Sequence, residues 1–173
     1  MSAQPRTAIL FVCLGNICRS PLAEGVLRAV VSERGLGNAF EIDSAALGSW
    51  HAGEPPDSRS VAVAHRFGVD ISGQRARLIT AEDFARFDLI FGMDRANVRR
   101  LRQLAPEKAQ GRIHMLLHFA LGREEEVPDP YYGGEADFLA VYGRIREACE
   151  ALADRFAAWD GSAASSGHAS STI

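Results

Sequence analysis

The stretch I-L-F-V-C-L-G-N-I-C-R-S-P-L-A-E, Ile9 to Glu24, decides how the rest of the chain is read. Its apolar run from Ile9 to Val12 reads as a buried strand. The run stops at Cys13. Arg19 follows, then Ser20, a favoured N-cap residue, and Pro21, which suits a first helical turn. Leu22, Val26, Leu27, Val30 and Val31 then share one helical face, and the helix is predicted from Ser20 to Arg34 with Gly35 as its stop. The pattern is strand, short loop, helix, with a thiol at the strand end and a guanidinium at the helix start.

Such a junction makes a cradle for an oxyanion. The first amides of a helix have no intrahelical partner, and the helix dipole is positive there. Gly15 and Asn16 are expected to take positive φ, turning the loop amides inward as a nest. Arg19 adds a planar fork of donors that matches phosphate. A thiol in that field is favoured as thiolate, the nucleophilic form, and Ser20 is placed to donate a hydrogen bond to it. Cys13 is therefore a candidate nucleophile on phosphorus. A buried structural cysteine in a tight turn has the same local pattern, and Cys-x5-Arg by itself does not separate the two.

At 173 residues with a formal net charge of −3, the chain is expected to form one domain with a sizeable core. Lys108 is the sole lysine, and no basic run points to nucleic acid or a membrane surface. No apolar run reaches the length of a membrane span and no signal-peptide core stands at the N-terminus, so a cytoplasmic location is expected. Three cysteines argue against a disulfide framework, and the five histidines show no metal-ligand spacing.

Further strands are predicted at Ala39–Ser44, Phe87–Phe91 and Arg112–Leu116. Helices are predicted from Asp57 to Phe67, after the T-A-E-D stretch at Thr80, from Arg95 to Leu104, and from Ala136 to Trp159. Ala45 to Pro56 reads as a loop carrying Trp50 and His51, and His118 to Pro130 as a long connection. Alternating strands and helices argue for a single α/β domain, a four-stranded, mostly parallel sheet with helices on both faces. Ligands in such folds bind outside the carboxyl ends of the strands, where Cys13 lies. Gly161 to Ile173, rich in Ser, Ala and Gly, reads as a disordered tail.

The decamer Val12 to Pro21, V-C-L-G-N-I-C-R-S-P, closely resembles the signature of low-molecular-weight protein tyrosine phosphatases. The resemblance continues through D-S-A-A (Asp43 to Ala46), R-A-R-L-I-T (Arg75 to Thr80), M-D-R-A-N (Met93 to Asn97) and D-P-Y-Y (Asp129 to Tyr132). It implies a three-layer, flavodoxin-like phosphatase domain over residues 1–160. The implied reaction is hydrolysis of protein phosphotyrosine through a phosphocysteine. Cys13 would attack, Arg19 would bind phosphate, and Asp129 would act as general acid and then base.

Leu14, Gly15, Asn16, Ile17, Cys18 and Ser20 would complete the cradle. Tyr131 and Tyr132 would form one aromatic wall and Trp50 the other. Taken alone, Asp129 between two prolines is an ordinary turn residue, and the three aromatics also suit a core edge or surface. Asn16, Ser44 and Asp94 match family positions that support the loop, although turn and cap roles fit the last two equally. Many members carry a histidine where Gly73, Gln74 and Arg75 stand here, a departure in that support.

Cys18 is either a small filler or the partner of Cys13 in a reversible disulfide. No metal or organic cofactor is implied, and the partner is a phosphotyrosine-containing protein. Two alternatives remain. A protein arginine phosphatase tends to carry threonine at the position of Ile17. A non-catalytic phosphate- or phosphoprotein-binding module would not need Cys13, Arg19 and Asp129 together. A thioredoxin-coupled arsenate reductase needs further cysteines in a mobile segment, whereas Cys149 lies inside a predicted helix.

Overall fold

The computed structural model describes residues 6–157. Strands β1 (Thr7–Cys13), β2 (Phe40–Ala46), β3 (Leu89–Gly92) and β4 (Ile113–Met115) form one sheet in the order β2-β1-β3-β4. Every pairing is parallel, where the sequence indicated a mostly parallel sheet. Register brings Cys13 beside Ala46, Val12 beside Gly92, and Gly92 beside Met115. The carboxyl ends of all four strands therefore form one edge. The order reverses direction at β1, whose neighbours are β2 and β3, so Cys13 ends the strand at the topological switch point.

Side chains of β1 alternate between two cores, as a period of two requires. Ile9, Phe11 and Cys13 face α1 (Arg19–Glu33), α2 (Ser58–Arg66), α5 (Leu116–Leu121) and α6 (Glu135–Ala157). Ala8, Leu10 and Val12 face α3 (Ala81–Arg86) and α4 (Arg95–Leu104). Burial on both faces explains why β1 is an unbroken apolar run rather than an alternating one. Among the described residues, no helix is long and apolar enough to cross a membrane.

Local signals mostly act as read. Asp57 accepts from the Arg59 amide at the start of α2, and Thr80 and Asp83 form a reciprocal capping box on α3. Three readings change. Ser20 is not an N-cap: α1 begins at Arg19, Cys18 takes the cap position, and no side chain caps it. The segment after β4 is not all connection, since Leu116–Leu121 is helical and ends at Gly122 in the left-handed region. Leu116 and Leu117 bury against α6, but one and a half turns are too few to show a periodicity. The strands also shift at their ends, β2 running on to Ala46 and β3 starting only at Leu89. The stretch 161–173 and the end of the last predicted helix lie outside the described residues.

Gly92 closes β3 where α4 turns in. A Cβ there would stand 2.9 Å from Val98 Cγ2 and 3.0 Å from the Val98 amide nitrogen. A backbone neighbour cannot swing aside as a side chain can. Gly92→Ala is expected to lower stability by about 1–3 kcal/mol, read as a fall in Tm. An unchanged Tm would show that the first turn of α4 yields freely.

Candidate active site

The loop after β1 is held open from behind. Outside donors take four of its carbonyls: Leu47 N–H to Cys13, Gly48 N–H to Leu14, Asp57 N–H to Ile17, and Ser60 Oγ to Cys18. The amides of residues 14–18 have no acceptor among the described residues. They are the loop's uncommitted donors, as an anion nest requires.

Asn16 fixes the loop's shape. Its φ of 59° is left-handed, and among the described residues no other non-glycine has positive φ. Gly15 is not left-handed; its lack of a Cβ admits His51, whose ring carbon would lie 3.0 Å from one. Left-handed backbone costs an L-residue roughly 1–2 kcal/mol. Three hydrogen bonds from one buried amide offset that cost. Asn16 Nδ2 donates to Ser20 Oγ at 2.7 Å and to Ser44 Oγ at 3.0 Å, and Oδ1 accepts from the Arg77 amide at 3.1 Å.

Ser20 Oγ lies 3.0 Å from Cys13 Sγ. Because Asn16 already donates to that oxygen, the single hydroxyl proton of Ser20 is free to point at the sulfur. Ser44 likewise accepts from Asn16 and donates to Glu24 Oε1 at 2.6 Å. A relay thus runs Glu24, Ser44, Asn16, Ser20, Cys13. Arg28 pairs with the far oxygen of Glu24. Arg77 is itself anchored by Asp43 and Asp83.

Arg19 is 2% exposed. Its Nη1 donates to Asp94 Oδ2 at 2.7 Å and to the Val127 carbonyl at 2.9 Å. Nε is buried with no partner, and Nη2 has only Asp129 Oδ2 at 3.6 Å. One edge of the guanidinium is thus committed to the protein, while the other makes no hydrogen bond among the described residues and has the fork shape that matches two oxygens of a phosphate. Burial works to lower the Arg19 pKa, but the Cys13 sulfur, Asp94 and Asp129 outweigh it and hold it above its ordinary value.

Cys13 and Arg19 sit at the bottom of a cavity of about 330 Å³. Leu14, Gly15, Ile17 and Cys18 line it below, and Trp50, His51, Asp129, Tyr131 and Tyr132 line it above. Cys13 is 3% exposed, Trp50 69% and Tyr132 95%, so the chemistry is deep and the aromatics form its rim. Asp129 Oδ1 accepts from the Tyr131 amide at 3.1 Å, turning the carboxylate over the mouth. The root of its loop is fixed by buried Val127, which also donates its amide to Met93 O at 2.9 Å. Arg59 steadies the far side, donating to the carbonyls of Tyr131 and Gly133.

A thiol at the end of a strand, a buried anion cradle and a carboxylate on a proline-flanked loop all converge on one cavity. The sequence matches the family profile described as low molecular weight phosphotyrosine protein phosphatase over residues 8–160. The chain belongs to that family. A relative named low molecular weight phosphotyrosine protein phosphatase 2, from Drosophila melanogaster, is 40% identical over 146 residues, covering 83% of this chain and 88% of the relative. A low molecular weight protein-tyrosine-phosphatase from Bacillus subtilis is 40% identical, covering 84% and 92%. A crystal structure of a protein tyrosine phosphatase from Entamoeba histolytica superposes with a TM-score of 0.82 at 39% identity, covering 87% and 96%.

Within this phosphatase fold, the predicted residues Cys13, Leu14, Gly15, Ile17, Cys18, Arg19, Trp50, Asp129, Tyr131 and Tyr132 all border the cavity. Asn16 and Ser20 stand behind it, shaping the loop rather than lining the cavity. Asp94 both caps α4 and holds Arg19. In the Gly73–Arg75 stretch, Gln74 donates to the Pro21 carbonyl at 3.0 Å and leaves a buried Oε1 unpartnered. Glu24 and Arg77 carry the loop support, and neither they nor His51 were given a role from the sequence.

Burial pushes the Cys18 thiol up to about 12, with the charges of Asp57, Cys13 and Asp129 adding to it. Burial also raises Glu24, against its hydrogen bond from Ser44 and its pairing with Arg28. A carboxyl raised in the folded state favours folding most when protonated. Its contribution is complete below the unfolded value of about 4.3 and is lost as pH rises through the folded one. Glu24→Gln keeps an acceptor for Ser44 and removes the titration. Its unfolding free energy is therefore expected to gain on wild type as pH rises across that window. Parallel pH profiles from denaturant titration would exclude this role for Glu24.

Proposed function

We propose that the chain hydrolyses phosphotyrosine in proteins by two successive displacements at phosphorus. The observation that carries this reading is the open Nε/Nη2 edge of buried Arg19, set with Cys13 below an aromatic rim and within 3.6 Å of Asp129. The Cys13 thiolate attacks phosphorus and an S–P bond forms. The P–O bond to the ring breaks, and the leaving oxygen takes the proton of the Asp129 carboxyl. Asp129, now a carboxylate, takes a proton from water. The water oxygen attacks phosphorus, the S–P bond breaks, and inorganic phosphate leaves with the thiolate restored. The loop amides and Arg19 bear the charge on the equatorial oxygens throughout.

Depth selects the substrate. A phosphate must pass the Trp50, Tyr131 and Tyr132 rim to reach Cys13. An aryl ester spans that distance with a ring that the rim can clasp, whereas the stem of phosphoserine is shorter. Ile17 offers the cavity an apolar wall without a hydroxyl, which favours the phenolic ester over a phosphoramidate.

Steady-state hydrolysis of para-nitrophenyl phosphate, without added metal and at mildly acidic to neutral pH, tests the mechanism. Cys13→Ser is expected to abolish turnover, and Asp129→Ala to lower kcat by about 10²–10⁴-fold with little change in KM. Phosphotyrosyl peptides should be preferred to phosphoarginyl ones. Turnover surviving in Cys13→Ser would remove the nucleophile from the scheme, and phosphate binding without turnover by wild type would leave a binding module.

We further propose that Cys18, which lines the same cavity as Cys13, is its redox partner. Hydrogen peroxide would oxidise the Cys13 thiolate to a sulfenic acid. The Cys18 sulfur then displaces its oxygen as water, closing a disulfide that a thiol reductant reopens. Since Cys18 is held protonated, closure is expected to be slow at neutral pH. After peroxide and then reductant, wild type should regain activity and Cys18→Ser should regain much less. Equal recovery of both would dismiss the disulfide.

A further inference from the structure

A second cavity, of about 730 Å³, opens between α4 and the carboxyl end of β4. Arg95, Arg99 and Arg102 face it from α4, a spacing that places all three on one side of a helix. His114 and His118 face it from β4 and α5, and Glu124 from the following loop. Val98 and Met115 give it an apolar floor. α4 contains four arginines and no acidic residue, in a chain whose formal net charge is −3.

The charges are unequally matched. Arg95 is paired with Glu124 and Glu126, and His118 Nε2 lies 3.1 Å from Glu124 Oε1. No carboxylate among the described residues pairs with Arg99 or Arg102. Like charges at helical spacing oppose one another, so Arg99 and Arg102, which lack the carboxylates that Arg95 has, destabilise this face. The field is felt by His114: burial pushes its pKa down, and Arg102, His118 and Arg155 push it further, against a hydrogen bond involving the Gly111 backbone.

We propose that this cleft binds a small ligand carrying two or more linked phosphate groups, which takes the site in competition with Glu124. Guanidinium forks fit phosphate oxygens in pairs, and Arg99 and Arg102 have theirs uncommitted. The cavity has the volume of a small-molecule pocket, and its donors converge from three elements rather than lying on a flat surface. Glu124 supplies the carboxylate that Arg95 and His118 hold in the ligand's absence. The site is separate from the cradle and does not depend on the phosphatase chemistry.

Calorimetric titration at low salt tests it, with Cys13 carboxymethylated so that the cradle is blocked. Inorganic triphosphate and adenosine triphosphate are the probes. One site is expected, weakening with added salt. Arg99→Gln/Arg102→Gln should weaken binding by about tenfold or more, and Glu124→Gln should tighten it by about two- to fivefold. Both arginines are exposed and make no ion pair among the described residues, so the double variant should keep its circular dichroism; Arg102→Gln alone is the fallback. Tighter binding of the nucleotide would assign the apolar floor to the nucleoside, and equal binding would assign the site to the phosphate chain. No binding, binding indifferent to the arginines, or affinity unchanged in Glu124→Gln would overturn the proposal. So would capture of an acidic peptide but not of triphosphate.

Discussion

A guanidinium buried to 2% exposure is the constraint around which this molecule is arranged. Taking such a charge out of water costs several kcal/mol unless its donors are met. Arg19 meets that cost through three segments far apart in sequence. Asp94 comes from the end of β3, the Val127 carbonyl from the root of the acid loop, and Cys13 from the end of β1. The parallel sheet makes this possible, because its register brings the ends of β1 and β3 to one edge. The fold thus gathers anionic and carbonyl oxygen around one cation and leaves one side of that cation unfilled.

The second constraint is the shape of the loop that faces it. A left-handed Asn16 turns the chain, and its side chain locks the turn by reaching Ser20, Ser44 and the Arg77 amide. Position and charge are therefore supplied separately. The Asn16 relay sets where the amides and the sulfur lie, and Arg19 with α1 sets the field they share. Glu24 ends the relay in the interior, with Arg28 beyond it near the surface.

How much of this was legible follows from how local each signal is. The strand, loop and helix around Cys13 stood out because an apolar run, a Ser-Pro junction and a helical stripe lie within one short window. Asp129 and the tyrosines were placed by resemblance, since an aspartate between prolines says only that the chain turns. Glu24, Ser44 and Arg77 form a network only when α1, β2 and the segment before α3 come together, and no spacing in the sequence records that meeting. Nothing local distinguishes Glu24 from the other polar residues of the first helix. Ser20 was read in two roles and the fold keeps one: it does not cap α1, as the rule for helix starts would have it, but its hydroxyl lies against the Cys13 sulfur as expected. The helix after β4 was missed because Leu116–Leu121 is too short for its period to be counted.

The proposed sharing of Arg19 between phosphate and the Asp129 loop also limits how the chain can vary. A lysine could carry the charge, but a single ammonium cannot span Asp94, the Val127 carbonyl and two phosphate oxygens at once. In the proposed scheme binding and proton transfer are tied to one side chain, so neither can drift while the other is preserved. Variation is pushed outward to the rim, where Trp50 and Tyr132 are largely solvent-facing and, in the proposed scheme, bear on the choice of substrate without entering the packing. A lineage built on this scaffold is free to change what it dephosphorylates far more readily than how it does so.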